Sequence, residues 1–564
     1  MDAKLYLGDI WTMAGGSEPS RAAALGVRGG RVVATGSAAE VAAKLGPDYE
    51  RVELDGRTLL PGMFDVHQHA SIVCLYGGRL RLRAPDVTDI TSLLLRLREA
   101  SAALEPGEWL VAIEWDESQL RERRAPTRAE LDEAVPDRPL FAMHYTCHRA
   151  LGNSRALAMA GIDHHSPEPS GGTIERDRRG EPNGLLIERA MSRVESLARQ
   201  SLVVRDQQGF FECLAAHYRG LALRGITHLV DAAVPKDLEA LYREARARGL
   251  VLVPTTMMPI SMAGWLEAPT DVLDEGPSGD GDELLSRGPV KLVFDGAPGC
   301  AMCLGVWQSA RGALRALALA VERRSLDPLR VTLSLEPTLD LRAGKARTGI
   351  RMYAPAEATA IVTRAVERGF AVATHAIGNE AIELALSAYR QAGPRLHAAG
   401  APRLEHATFL DRSMAERMAD LGICAVVQPD FVRLPAYDNA PSIPALHNTP
   451  LRLLLDSGVH VAGSSDYPVT DFDPLDGIRS AVLRRTLRGE PFEPEQAISL
   501  EQAVAMYTRE AARAVGVAGE KGSLEPGKRA DFVVLDQALD ARSLGHVKVM
   551  ATFLGGAQIA GEGL

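Results

Sequence analysis

Lysine, cysteine and aromatic residues are all scarce in this 564-residue chain, the aromatics making up 5 % of it. Six cysteines (Cys74, Cys147, Cys213, Cys300, Cys303 and Cys424) are too few and too scattered for a disulfide scaffold, which fits a reducing compartment. No apolar run reaches the roughly 18 residues needed to span a bilayer, so no membrane segment is expected. The opening stretch MDAKLYLGDIWTMAGG carries no basic segment followed by an apolar core. No signal peptide is therefore expected, and the expected location is cytoplasmic. Basic residues do not dominate: 63 Lys and Arg stand against 73 Asp and Glu, a net charge of −10. That speaks against a generally basic nucleic-acid binder. Only eight of the basic residues are lysines, so a lysine inside a strand calls for an explanation.

What is present is an ordinary globular balance, 46 % hydrophobic and 24 % charged. The length suits three to four domains of about 150 residues, or a barrel of about 250 residues or more with an appended domain. The first 60 residues and the last 45 share one style, short apolar runs broken by Gly-rich turns such as AALGVRGGRVVATG and GSLEPGKRADFVVLD. Neither end has enough strands to bury a core alone. Residues 1–58 and 520–564 are therefore expected to form one discontinuous β-sandwich.

The middle, 59–519, alternates short β-branched runs with Ala/Leu/Arg-rich helical stretches. Eight strands are expected: LLPGMFDVHQH, GITHLVDA, LVLVPTTMM, PVKLVFDG, FAVATHAIG, RLEHAT, ICAVVQP and VHVAGSSD. Eight such units predict an α/β fold, a (β/α)8 TIM barrel. The long interval between the first and second strands carries strand, helix and hairpin signals of its own, so residues 75–205 are read as an insertion over the barrel mouth. Residues 271–289, rich in Gly and Asp, read as a surface loop.

Polar residues at the strand ends carry the chemistry. His67 and His69 end the first strand, Lys291 lies in the fourth, His375 in the fifth, His406 in the sixth and Asp466 at the end of the eighth. Active sites of this fold are built where the C-terminal strand ends meet. Imidazole and carboxylate are ligands that Zn²⁺ and similar divalent ions prefer. Each residue alone is more simply structural; their joint placement predicts a metal site.

LPGMFDVHQH resembles the first-strand signature of the amidohydrolase superfamily. Together with PTRAELDEAVPDRPLF, GNSRALAMAGI, SGGTIERDRRGEPNGLLIE, VKLVFDG, THAIGN, RLEHA and GSSDYPV, the pattern is similar to amidohydrolase family 3, the YtcJ-like branch that includes N-substituted formamide deformylase. The resemblance covers nearly the whole chain. It implies that His67 and His69 hold the more buried metal and that His375 and His406 are further ligands. Asp466 would contact metal-held water and shuttle its proton, as general base and then acid. Lys291 would be N6-carboxylated and bridge two metals, because a neutral amine bridges two cations poorly and a carbamate brings two oxygens and a negative charge. An unmodified Lys291 in a one-metal site, or one paired with Asp295, is the alternative. With one metal only, His375 or His406 would stabilise the oxyanion.

The implied reaction is hydrolysis of an amide-like C–N bond, N-acyl or N-formyl, in a small molecule by a metal-activated hydroxide, Zn²⁺ lowering the pKa of bound water from 15.7 to about 7. Deamination of an aminated heterocycle, decarboxylation, and a scaffold without catalysis are the alternatives. The partners expected are a small-molecule substrate and, for the chain itself, a monomer or homodimer.

Substrate contacts are expected from Trp115, His148, Cys300, Cys303 and Gln428. Cys300 and Cys303 form a CxxC after the fourth strand, for which a redox role is the competing reading. His144 and His148 flank the inserted segment's HYTCH, with structural and substrate roles equally open. Asn379, in THAIGN, stands where many relatives carry Asp, and His164 and His165 read as solvated.

Overall fold

Short unbroken apolar runs, rather than strict alternation, are the pattern of strands buried on both faces. The computed structural model describes residues 3–15, 21–261, 272–296, 300–333, 338–340, 342–434, 437 and 446–563. Each of the eight expected runs contains a strand, and these are buried along almost their whole length. Leu285–Arg287, Thr255–Ile260, Ile226–Pro235 and Met63–Gln68 form one parallel sheet in that order. Val290–Val293, Val372–Ala376, Arg403–His406, Cys424–Val427 and His460–Gly463 form another.

The chain passes from one sheet to the other between Arg287 and Val290. At the opposite edges the Asp466 N–H donates to the His67 carbonyl at 2.8 Å, and the Ser465 N–H to the Asp65 carboxylate at 3.0 Å. Sequential parallel strands with intervening helices, among them Lys236–Ala247, Pro355–Glu367 and Asn379–Ala392, are consistent with a (β/α)8 architecture. One sequence expectation is corrected here. The stretch read as a surface loop holds the strand Leu285–Arg287, which pairs with Thr255–Met257. Its Gly- and Asp-rich flank masked a strand of three residues.

Both chain ends meet in a single seven-stranded sheet, in the order Ala557–Gly561, Val549–Leu554, Phe532–Leu535, Glu50–Pro61, Ala3–Trp11, Arg21–Arg28, Arg31–Gly36. By hydrogen bonding this is one sheet, where two were expected from a sandwich. Glu50–Pro61 pairs with Ala3–Trp11 on one side and Phe532–Leu535 on the other, making the ladder continuous and running past residue 58. One set of buried side chains centres on Tyr6, Phe532 and Phe553. Another is covered by the helix Ala38–Leu45 through Val41 and Leu45.

Between the first and second barrel-type strands lies a six-stranded sheet running from Leu80–Arg81 to Pro182–Glu188. It has its own core around Leu93, Leu97, Trp115, Leu131 and Leu151. A second insertion follows the fourth strand: a three-stranded sheet of Met302–Gly305, Thr338–Asp340 and Lys345–Thr348, with the helix Val306–Arg323. The sequence reading passes over it, because its long Ala/Leu/Arg helix resembles an ordinary barrel crossover. No helix among the described residues is long and apolar enough to cross a membrane.

The shared terminal core generates a stability prediction. Phe532 is fully buried, stacked on Phe553 at 4.4 Å and edge-on to Tyr6 at 5.1 Å. Phe532→Ala is expected to destabilise this sheet by about 3–5 kcal/mol, read as a lowered first transition in denaturant unfolding. A change under about 1 kcal/mol would show that the two ends do not depend on a common core.

Candidate metal centre

Six side chains converge at the strand ends. Asp466 Oδ1 lies 3.2 Å from His69 Nε2 and 3.4 Å from His67 Nε2. Lys291 Nζ is 3.2 Å from His67 Nε2. The His406 ring lies 5.0 Å from that of His67 and 4.5 Å from that of His375, between centroids. The liganding atoms of His67, His69 and Asp466 all lie within 4.8 Å of one another. Here the structure brings together every residue that the sequence analysis reads as a ligand.

Three of the imidazoles are oriented from behind. His67 Nδ1 bonds the Glu405 carboxylate, His69 Nδ1 the Ala232 carbonyl, and His406 Nδ1 the Gln428 Oε1 at 2.8 Å. A carbonyl can only accept, so His69 carries its proton on Nδ1, and in the neutral ring Nε2 then presents a lone pair. The same logic turns the His67 and His406 Nε2 lone pairs inward. Asp466 Oδ1 and His375 Nε2 are buried without a hydrogen-bond partner. Lone pairs and a carboxylate facing each other at a buried centre form a donor set that fits a divalent cation, with the outer hydrogen bonds typical of such sites.

Another His/acid group, Asp116, Glu117 and His144, makes the contrast. There Arg149 takes Glu117, while the Ser118 N–H and Gln119 Nε2 take Asp116. That network is already satisfied.

Protonation follows burial. Burial, then the neighbouring Lys291, pushes His67 down to about 3 against the pull of Glu405. Burial brings His406 down to about 4 and holds His375 well below the ordinary imidazole value. Burial lowers Lys291 to about 8 although Glu405 and Asp466 oppose it. Burial would raise Asp466, but His69, His67 and His406 outweigh it and hold the carboxyl well below the usual range. At neutral pH His67, His375 and His406 are thus uncharged and Asp466 is ionised, the states a metal needs.

The inserted segment reaches the same place. His148 donates from Nδ1 to Glu188 at 2.8 Å, and its ring centroid is 5.6 Å from that of His375. Glu188 outweighs burial and lifts His148 above the ordinary value. Asp295, fully buried, accepts N–H bonds from Ala301, Ile377 and Gly378 and sits 3.4 Å from His375 Nε2. Burial raises it to about 7.

One expected substrate contact is corrected. Trp115 is 0 % exposed, donates to the Ala142 carbonyl and packs in the core of the insertion, with no surface left for a ligand. Gln428 orients His406 through Oε1 and donates to Ser464 Oγ at 3.0 Å. Cys300 is buried against Met302 and Leu446. Cys303 is half-buried, its backbone clamped at both N–H and C=O by the Asn379 side chain at 2.8 Å each. Neither cysteine belongs to a metal-type group among the described residues. His164 and His165 are exposed, as expected.

Glu405 and Glu188 are not singled out by the sequence, and Asp295, read there as a possible partner of Lys291, lies instead beside His375. Alternation would put Glu405 and His406 on opposite faces, but His406 has a φ of 70° and ends the strand there. Asp466, Cys147 and Glu188 also have positive φ, at 56°, 64° and 52°. Such backbone costs about 1–3 kcal/mol per residue and collects at functional sites.

A buried imidazole–carboxylate cup at the ends of parallel strands defines a metal-dependent hydrolase, and the comparisons agree. Residues 50–560 match the model of the amidohydrolase family. The chain is 31 % identical over 547 residues to N-substituted formamide deformylase of Arthrobacter pascens, covering 95 % of this chain and 94 % of that one. It is 28 % identical over 576 residues to the putative amidohydrolase YtcJ of Bacillus subtilis (strain 168), covering 99 % of each. The structure of an uncharacterized metal-dependent hydrolase from Pyrococcus horikoshii OT3 superimposes with a TM-score of 0.66 at 22 % identity, over 96 % of this chain and 99 % of that one, a likeness of fold. The protein belongs to the amidohydrolase family, in the family 3 branch.

The lowered imidazoles give a direct test. A base whose pKa is depressed stays neutral to lower pH, so acidification from 7.5 to 5.5 should leave His67 and His406 unprotonated. An ordinary histidine near 6.5 would be about nine-tenths protonated at pH 5.5. Histidine-labelled, chelator-treated protein followed by NMR should show these ring signals moving only below about pH 5. Midpoints near 6.5 would contradict the assignment.

Proposed function

We propose that this amidohydrolase cleaves the amide-like C–N bond of a small N-formyl or N-acyl amine or amino-acid derivative, with one or two Zn²⁺ ions held by His67, His69, His375, His406 and Asp466. The observation that carries the reading is the ionised, unpartnered Asp466 Oδ1 facing the Nε2 atoms of His67 and His69. The 31 % identity to a formamide deformylase along nearly the whole chain supports the choice of bond. A closed (β/α)8 barrel over 59–519, bearing the 75–205 insertion and flanked by a unit of 1–58 with 520–564, is the architecture we assign.

A bound zinc supplies Lewis acidity, acidifying water and polarising a carbonyl. The remaining roles fall to side chains. Asp466 accepts the proton of the attacking water and passes it to the departing nitrogen, so a single carboxylate acts as base and then acid. Glu405, the Ala232 carbonyl and Gln428 hold the three rings in the tautomer that leaves Nε2 free. His148, held by Glu188 and 5.6 Å from His375 between ring centroids, is assigned a substrate contact.

Carboxylated on Nζ, Lys291 would offer two oxygens and a negative charge to divalent ions held in the cup. Its burial and lowered pKa support this, since the uncharged amine is the form that reacts with CO₂. A retained ammonium would repel each dication at roughly 4 kcal/mol per unit-charge pair at 4 Å and an effective ε of 20.

Two variants test the assignment. With N-formyl and N-acyl amines as substrates, Asp466→Asn should keep the fold and lower kcat by roughly 10² to 10⁴. Near-normal turnover would remove Asp466 from proton transfer. Lys291→Ala should take metal content from about two ions per chain toward one, with short carboxylic acids restoring part of the activity. Unchanged metal content would leave Lys291 outside the site.

A further inference from the structure

The helix Val306–Arg323 of the second insertion is oriented in reverse for a helix that packs only on its own chain. A surface helix ordinarily turns its large apolar side chains inward. Here the buried residues are the small Ala316 and Ala320. Trp307, Leu314, Leu317 and Val321 are instead 81, 65, 49 and 72 % exposed, and Ala310 is exposed among them. Residues 307, 310, 314, 317 and 321 follow at steps of 3, 4, 3 and 4. That spacing keeps a narrow apolar seam on one side of a helix and seats it against a second helix. Such exposures leave roughly 500 Å² of apolar surface on this face, as much as the largest patch of a typical monomer. Doubled across a pair and widened by the flanking arginine stems, it reaches about 1,200 Å², the lower bound for a specific interface.

The seam is complementary to itself. Turned end for end about Leu314, Trp307 of one copy meets Val321 of the other, Ala310 meets Leu317, and Leu314 meets Leu314. The bulkiest residue then faces a smaller one and the smallest a larger one, as interdigitating layers require. The two helix dipoles oppose each other, which favours the pair. A parallel pair would set Trp307 on Trp307 and leave a gap between two copies of Ala310. A twofold contact of this kind closes on itself and stops at two chains.

We propose that the chain forms a homodimer through antiparallel pairing of the Val306–Arg323 helices of two copies. The second insertion thus serves as an association element beside the barrel. The inference is independent of the reaction assigned to the cup, and its test does not involve turnover.

Sedimentation equilibrium of the full chain up to about 100 μM reads the association, since interfaces of modest size hold at micromolar concentrations or below. Wild type is expected to sediment as a dimer. Leu314→Glu and Leu314→Lys should each be monomeric, with circular dichroism unchanged because the position is exposed. Mixing these two variants should restore a dimer, because residue 314 meets its own copy. Trp307→Ala should weaken association at least about tenfold, as loss of a central aromatic does. Ala310→Cys should cross-link to Leu317→Cys in a mixture of the two, located by peptide mass spectrometry, and not to itself. A monomeric wild type overturns the proposal, as does a dimer untouched by Leu314→Glu and Trp307→Ala. A mixture of the charged variants that stays monomeric removes the contact at Leu314, and Ala310→Cys cross-linked to itself removes the antiparallel arrangement. A monomer that floats with anionic lipid vesicles would give this face to a membrane surface and equally overturn the proposal.

Discussion

An ionised carboxylate and the inward-facing nitrogens of buried imidazoles meet at the strand ends of this protein. Burying such a charge without compensation costs several kcal/mol, and here the surroundings increase the mismatch. Glu405, the Ala232 carbonyl and Gln428 each claim the Nδ1 side of a ring. The Nε2 atoms are thereby committed to acceptor character. A divalent cation would satisfy that arrangement, and the neighbouring architecture is consistent with holding it ready for one.

Much of the local structure maintains this geometry. Glu405 is itself fixed by Arg403, whose guanidinium donates to it at 2.7 Å and to the Val66 carbonyl at 2.7 Å. One buried ion pair thus ties the sixth strand to the first. Asp65, one pleat below His67, accepts the Ser465 N–H and locks the first strand to the segment carrying Asp466. Positive φ at His406 and Asp466 is tolerated where these contacts over-determine the neighbouring backbone.

The strands were legible in the sequence because fully buried parallel strands leave unbroken apolar runs, and the ligands because each polar residue interrupted such a run near its end. His67, His69, His375, His406 and Asp466 stand out for that reason, and Lys291 because so few lysines occur in the chain. Glu405 did not, since its partner His67 lies 338 residues away and only the turn at His406 lets both reach one cup. Trp115 and Gln428 carry polar atoms that look available in a string of letters; the fold has already assigned both to internal bonds. The second insertion was hidden by composition, its helix differing from a crossover helix only in what it packs against.

The central claim is that the convergence of His67, His69 and Asp466 exists to hold a divalent ion. Anomalous diffraction at the zinc edge, from crystals of protein purified and grown without added metal and then soaked in Zn²⁺, tests it most directly. The account predicts an anomalous peak at about 2.0–2.1 Å from the Nε2 atoms of His67 and His69 and about 2.0–2.2 Å from an Asp466 oxygen. Ordered histidines around a centre with no anomalous signal, after soaking at saturating zinc, would contradict it.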